Sequence, residues 1–209
     1  WTATARASCS TSRTRERGAA VIEDERFDGE VVDTSVVFHG RVWDVRSDVV
    51  RYGDGEIVRD YVDHTGAAAV VAVDDEHRVL LIQQYRHPIR HRDWEIPAGL
   101  LDVAGESPAE TARRELAEEV DLAAGSLEPL VSLFTSPGGS DEIVHVFLAR
   151  DLVQLSVHER TDEEADIVAQ WVPLSEVVDA ILAGSVRNGI LISGVLAAAE
   201  RLRRDDAVG

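Results

Sequence analysis

Three glutamates near the middle of the chain are spaced so that a helix would place them side by side. Glu118 and Glu119 follow Glu115 by three and four residues, and side chains at these separations share one face of an α-helix. Like charges at this spacing repel, so we expect a cation to bind there. Mg²⁺ prefers oxygen ligands and combines protein carboxylates with substrate phosphate oxygens. The pattern therefore indicates metal-assisted phosphate chemistry, with a solvated acidic surface as the alternative.

The helix that carries these glutamates has a clear start signal. Ser107 can cap the first amides, Pro108 suits the first helical position, and Glu110 completes a capping box. An apolar residue at every fourth position from Ala112 would bury the opposite stripe. We therefore predict a helix that begins near Ser107 and presents its acidic face to the preceding loop.

The whole segment resembles the Nudix box, the signature of the Nudix hydrolase family. The matching positions are Gly99, Glu106, Arg114, Glu115, Leu116, Glu118, Glu119 and Leu122. Two features depart from the box. The spacer from Gly99 to Glu106 has one residue more than usual, and Asp121 takes the place of the late glycine. The extra residue should bulge the loop, whereas Asp121 can still adopt the left-handed conformation that ends a helix.

The resemblance implies a site for Mg²⁺, which Mn²⁺ could replace. The implied metal ligands are Glu115, Glu119, Glu118 and the carbonyl oxygen of Ala98. Glu118 is either a further ligand or a catalytic residue that holds a metal-bound water. Arg114 and Glu106 would orient the ligands from outside the metal shell.

Two residues upstream of the box are candidates for substrate binding. Arg86 ends an apolar run, so we expect it at a strand end where its guanidinium could bind a diphosphate with two hydrogen bonds. An ordinary surface arginine is the alternative. Glu95 stands just before Gly99 and should lie near the metal loop; a simple turn residue is the alternative there.

A loop of small residues supplies the candidate base. It runs from Thr135 to Glu142 and contains Pro137, which stands sixteen residues after Asp121. With a proline at this place the chain resembles the ADP-ribose pyrophosphatase sub-family, particularly its actinobacterial members. In that sub-family the loop glutamate acts as, or positions, the catalytic base, so we assign Glu142 this role. Such a loop could close over a substrate, or it could be a plain hairpin connection.

The resemblance implies hydrolysis of ADP-ribose to AMP and ribose 5-phosphate. The residues alone indicate only metal-assisted hydrolysis of an anionic compound. Two alternatives stay open. One is a pyrophosphatase for another nucleotide sugar, of the GDP-hexose type, and the other is a sensor that binds a nucleotide sugar without hydrolysing it.

The order of the apolar runs predicts an α/β fold, a Nudix-type α/β/α sandwich with a mixed sheet and a small N-terminal antiparallel β lobe. We expect a disordered or spurious tail at 1–24, the lobe at 25–63 and the Nudix hydrolase domain at 64–209. The resemblance implies that the lobe forms a homodimer and contributes to the partner's adenosine site. Trp43 and Arg59 are the candidates for this contact, although Trp43 could instead pack within the lobe.

Individual elements follow from the same runs. In the lobe we expect strands at 34–44, 47–52 and 56–62, with a hairpin turn at Gly53–Gly55. In the domain we expect strands at 67–73, 79–84, 130–134, 143–148 and 168–172. Ser175 should cap a helix that Gly184 ends, and a last helix should cover 190–204.

Composition excludes several classes of protein. The net charge of −18 argues against nucleic acid as the main partner. No apolar run reaches the roughly 20 residues of a membrane span. Cys9 is the only cysteine, so no internal disulfide can form and we expect a cytoplasmic protein. The histidines show no short metal-binding motif, and metal contact by Glu163 or Glu164 is a minority alternative to a solvated loop. The basic start of the chain suggests Val21 as the true first residue.

Overall fold

The computed structural model describes residues 22–157 and 166–207. The predictions for Cys9, for most of the tail and for Glu163 and Glu164 lie outside these residues. The described part has strands β1 Val31–His39, β2 Asp44–Tyr52, β3 Gly55–Asp63, β4 Ala67–Ala72, β5 Arg78–Arg86, β6 His91–Glu95, β7 Ala98–Leu100, β8 Leu122–Phe134, β9 Ile143–Gln154 and β10 Val168–Pro173. Its helices are α1 Pro108–Val120, α2 Leu174–Leu182 and α3 Gly189–Asp206.

Two sheets form the body of the fold. The mixed sheet has the order β7-β4-β9-β8, in which β4 runs parallel to β9 and antiparallel to β7. The second sheet is antiparallel, with the order β10-β5-β6. Every residue of β4 is buried, as expected for a strand that is covered on both faces.

The two faces of β4 belong to two hydrophobic cores. Ala67, Ala69 and Val71 pack in one core with α2 and α3, whereas Ala68 and Val70 pack in the other with α1. The alternation of side chains along a strand produces this division. Helices therefore cover both sides of the sheet, and the predicted α/β/α sandwich is confirmed.

A third sheet lies at the N-terminal end and consists of β1, β2 and β3, all antiparallel. The hairpin turn between β2 and β3 is where the sequence places it, and Gly53 has a positive φ of 61° there. The single run expected at 34–44 is wrong. The chain turns between the first two strands, where the Gly40 amide donates to the Trp43 carbonyl at 3.1 Å.

The expected cap of α2 is also wrong. The helix begins at Leu174, and Pro173 is its N-cap without a side-chain hydrogen bond. Ser175 is not needed as a cap, because the Leu174 amide donates to the carbonyl of His77 in the β4–β5 turn at 3.0 Å. The predicted end is confirmed, since Gly184 follows the helix with φ of 71°.

Strands β8 and β9 are longer than the apolar runs that predicted them. The two strands pair along their whole length, with a register shift between Pro129 and Val131. Pairing extends β8 back to Leu122, directly after α1, through small residues that carry no strand signal of their own. Within the described residues no helix is long and apolar enough to cross a membrane.

Candidate metal and catalytic site

Local sequence signals set both ends of α1, the helix that carries the glutamates. The Ser107 side chain accepts from the Glu110 amide, and the Glu110 carboxylate accepts from the Ser107 amide at 2.7 Å. Asp121, the C-cap residue of α1, has a left-handed backbone conformation, with φ of 55° and ψ of 38°. The predictions for both ends are therefore confirmed. A turn precedes the helix, and Gly105 in this turn has φ of 83°.

Gly99 lets the loop approach the acidic face of α1. A Cβ atom built on Gly99 would overlap the carboxyl group of Glu115. The absence of a side chain at this position therefore leaves the space in which the Glu115 carboxylate lies. This contact joins the loop to the helix and explains in physical terms why the pattern contains a glycine there.

Replacing Gly99 with Ala should displace the Glu115 carboxylate, because buried neighbours cannot absorb a clash of this size without a shift. We expect a large loss of activity with a smaller change in the free energy of unfolding, because the Cβ would meet the end of the flexible Glu115 side chain. Urea denaturation and steady-state kinetics measure the two effects. Gly55→Ala is the control, because a Cβ there meets nothing within 4 Å. A fully active, equally stable Gly99→Ala variant would contradict this assignment.

Arg114 holds three of the carboxylates. One of its guanidinium nitrogens, Nη1, donates to Glu115 at 2.5 Å and to Glu118 at 3.1 Å. Nη2 donates to Glu106 at 3.1 Å, and the Thr111 hydroxyl donates to the same carboxylate at 2.9 Å. These contacts lower the pKa of Glu106, chiefly through the hydrogen bond from Arg114.

Glu119 lies in a different environment from its neighbours. Its carboxylate accepts from the Ala98 amide at 3.0 Å, and the residue is only 6% exposed. Burial raises the pKa of Glu119 to about 8, and the charges of Glu115 and Glu95 add to this effect. A buried carboxylate that is repelled by two others favours either a proton or a metal ion.

The raised pKa predicts a pH dependence of stability in the metal-free protein. Between the ordinary value of 4.5 and about 8, folded Glu119 keeps a proton that the unfolded chain has lost. The free energy of unfolding should therefore fall as the pH rises through this window, by on the order of a few kcal/mol. Urea denaturation in EDTA from pH 5 to pH 9 measures the slope. Glu119→Gln should remove this contribution, and equal slopes in the two proteins would refute it.

Arg86 and Glu95 form a forked ion pair beside this carboxylate. Arg86 ends β5, as expected, and donates from Nε and Nη2 to the two oxygens of Glu95 at 2.7 and 2.8 Å. Gln84 donates to the same carboxylate at 3.3 Å. Glu95 is buried at the end of β6 and is not a turn residue. It therefore fixes the direction of the Arg86 guanidinium.

A cavity of about 560 Å³ brings most of the candidate residues together. Among its lining residues are Trp43, Arg86, Glu95, Ala98 and Glu142. They come from β5, β6, β7, the β1–β2 turn and the β8–β9 loop. Arg59 lies elsewhere, in a separate cavity beside the Pro137 loop, so within one chain it does not line the main cavity.

The loop that carries Glu142 is fixed at its C-terminal half. The Val62 amide donates to the Gly139 carbonyl at 3.0 Å, and the Asp141 amide donates to the Val62 carbonyl at 3.4 Å. The Glu142 carboxylate accepts from the Thr135 hydroxyl, across the base of the loop. The end of β3 thus holds this half of the loop beside the cavity.

A family profile for the NUDIX domain matches residues 63–190. This range contains the loop, helix α1 and the Glu142 loop described above. The chain belongs to the Nudix hydrolase family. The resemblance that the sequence indicated is therefore confirmed.

Two relatives of this Nudix hydrolase are named ADP-ribose pyrophosphatases. The chain is 46% identical over 171 residues to an ADP-ribose pyrophosphatase of Mycobacterium tuberculosis, covering 81% of this chain and 83% of the relative. It is 40% identical over 143 residues to an ADP-ribose pyrophosphatase of Bacillus subtilis, covering 68% and 77%. A crystal structure of an ADP compounds hydrolase has the same fold, with a TM-score of 0.73 at 23% identity over 88% of this chain and 98% of that chain.

Nudix hydrolases generally use divalent metal ions, and the donor set here suits one. All candidate donors are oxygens, and Glu115 lies in the space that Gly99 leaves open. Within 22–157 and 166–207, however, no three His, Cys, Asp or Glu side chains converge closely enough to hold a metal. Arg114 Nη1 contacts both Glu115 and Glu118, whereas the Glu119 carboxylate accepts from the Ala98 amide. The ligand assignment therefore stays a prediction.

Sequence reasoning missed several residues that line the cavity of this Nudix hydrolase. They are His64, Asp93, Arg187 and Asn188. Asn188 is the N-cap of α3 and also donates to Asp93 at 3.0 Å. A lone asparagine before a helical run could have indicated the cap. The approach of Asp93, 95 residues away in sequence, left no local signal.

Proposed function

We propose that this Nudix hydrolase cleaves the pyrophosphate bond of ADP-ribose, with Mg²⁺, to give AMP and ribose 5-phosphate. The observation that carries the proposal is the shared cavity, which places Arg86, Glu142 and the Gly99 end of the box around one space. A nucleoside diphosphate sugar carries its negative charge on the diphosphate in the middle of the molecule. In the proposal this diphosphate lies beside Arg86, Glu142 and the Gly99 end of the box. The similarity to two ADP-ribose pyrophosphatases supports this choice of substrate.

Each residue has a separate role in the proposal. Arg86, fixed in direction by Glu95, binds the diphosphate with charge-assisted hydrogen bonds. Glu115, Glu119 and the Ala98 carbonyl would hold the metal ion, with Glu118 as a further ligand or as the residue that holds a metal-bound water. The ion would supply neutralisation of the phosphate charge and a more acidic water. Glu142 accepts the proton of the attacking water.

The homodimer also stays a proposal. The N-terminal sheet and its turns expose large apolar side chains, among them Val31, Val37, Phe38, Val42 and Trp43. Exposed apolar groups of this density are typical of interaction surfaces. In a dimer Trp43 and Arg59 would be the candidates for contact with the partner's adenosine site, and Trp43 also lines the cavity of its own chain. The domain boundaries, the absence of nucleic-acid and membrane partners and the cytoplasmic location remain predictions from sequence.

Product analysis tests the proposed substrate. The purified protein is incubated with ADP-ribose, GDP-mannose or NADH in the presence of Mg²⁺, and the products are separated by chromatography. We expect AMP and ribose 5-phosphate from ADP-ribose, and no products when EDTA replaces Mg²⁺. Faster release of GMP from GDP-mannose would favour the GDP-hexose alternative. Tight binding of ADP-ribose without turnover would favour the sensor.

A further inference from the structure

His64 lies between the N-terminal sheet and Glu142 and contacts both. Its side chain is only 6% exposed. The Trp43 ring stacks on its imidazole, with ring centroids 5.3 Å apart and an angle of 28° between the planes. At the edge of the ring, Nε2 lies 3.5 Å from Glu142 Oε1. A buried histidine in this position has one polar neighbour on each ring nitrogen.

The hydrogen bonds around the ring determine which nitrogen faces Glu142 with a proton. The Gly66 amide donates to Nδ1 at 2.9 Å, so Nδ1 must act as the acceptor. In a neutral imidazole the proton is then on Nε2, directed toward the Glu142 carboxylate. The separation of 3.5 Å is longer than a strong hydrogen bond. Hydrogen bonds of catalytic groups are often this long before substrate binds and shorten in the complex.

We propose that His64 is a positioning residue for Glu142. This inference rests on the proposed function, in which Glu142 accepts the proton of the attacking water. His64 directs one carboxylate oxygen from the cavity side while the Thr135 hydroxyl binds the other. Two donors on opposite oxygens restrict the rotation of the carboxylate, and a misplaced base loses rate rather than substrate affinity.

The backbone of the same residue holds the loop. The His64 amide donates to Asp141 at 2.8 Å, next to the base in sequence. Side-chain variants leave this amide in place, so they can separate the direction of the carboxylate from the attachment of the loop. Trp43 stacks on one face of the ring and limits where the imidazole can move.

Two substitutions of His64 distinguish the roles of its two ring nitrogens. In His64→Asn the side-chain oxygen can still accept from the Gly66 amide, but no donor reaches Glu142. In His64→Gln the longer side chain places an NH₂ group near the position of Nε2. We expect His64→Asn to lower kcat about 10- to 100-fold with little change in KM, and His64→Gln to restore most of kcat. His39→Asn is the control, because His39 pairs with Asp44 on the exposed surface.

A double-mutant cycle with Glu142→Gln shows whether the effect passes through the base. If His64 acts by positioning Glu142, His64→Asn should cause no further loss of kcat in the Glu142→Gln protein. An equal loss in both backgrounds, or an unchanged kcat in the single variant, would overturn the inference. If His64→Asn fails to fold, a large loss of kcat in His64→Gln would also overturn the inference. Full turnover by Glu142→Gln alone would instead refute the proposed base.

Discussion

Replacing Glu119 with Gln should nearly abolish turnover while the fold remains intact. Glu119 is the most buried of the three glutamates on the helix face. Glutamine keeps the shape of its side chain but not its charge. The loss of a metal ligand removes several kcal/mol of charge stabilisation in the transition state, which corresponds to a fall of about 10³-fold in kcat. Steady-state kinetics over a range of Mg²⁺ concentrations measure it.

The free energy of unfolding of Glu119→Gln should stay the same or rise, although its activity falls. In the metal-free protein at pH 8 the glutamine removes a buried carboxylate that burial and Glu115 disfavour, so unfolding should require at least as much urea as in the parent protein. Glu176→Gln, an exposed glutamate in the first turn of α2, is the matched control and should leave both properties unchanged. Full activity of Glu119→Gln at low Mg²⁺ would remove the metal assignment.

Local signals in the sequence were sufficient for α1, the helix that carries the three glutamates. The capping box, the proline at the first turn and the spacing of the glutamates each act within a few residues. The ends of α1 and its acidic face therefore followed from sequence alone.

Contacts between distant parts of the chain could not be predicted in this way. The His64 amide bonds to Asp141 across 77 residues, and neither side chain belongs to a local motif. The cap of α2 failed for a similar reason, because His77 from another element satisfies the Leu174 amide. The ends of β8 depend on its partner strand rather than on its own residues. The sequence thus indicated the chemistry, whereas tertiary packing determines how Glu142 is held.

Replacing Glu142 with Gln should lower kcat by about 10²- to 10⁴-fold, the range for loss of a general base, and should leave KM nearly unchanged. One of the two contacts of the carboxylate is retained in this variant. A glutamine oxygen can still accept from the Thr135 hydroxyl, so the side chain keeps its place in the cavity. It cannot accept the proton of the attacking water. Steady-state and single-turnover kinetics with ADP-ribose separate the two constants.

The neighbouring acid on the same loop provides the control for this result. Asp141 accepts from the His64 amide, and the amide oxygen of Asp141→Asn can still do so. This variant changes the charge of the loop by the same amount as Glu142→Gln but should lose far less kcat. A comparable loss in both would mean that loop charge, rather than proton transfer, limits the rate. A rise in KM at constant kcat in Glu142→Gln would make Glu142 a substrate-binding residue, because an interaction shared by ground state and transition state changes affinity alone.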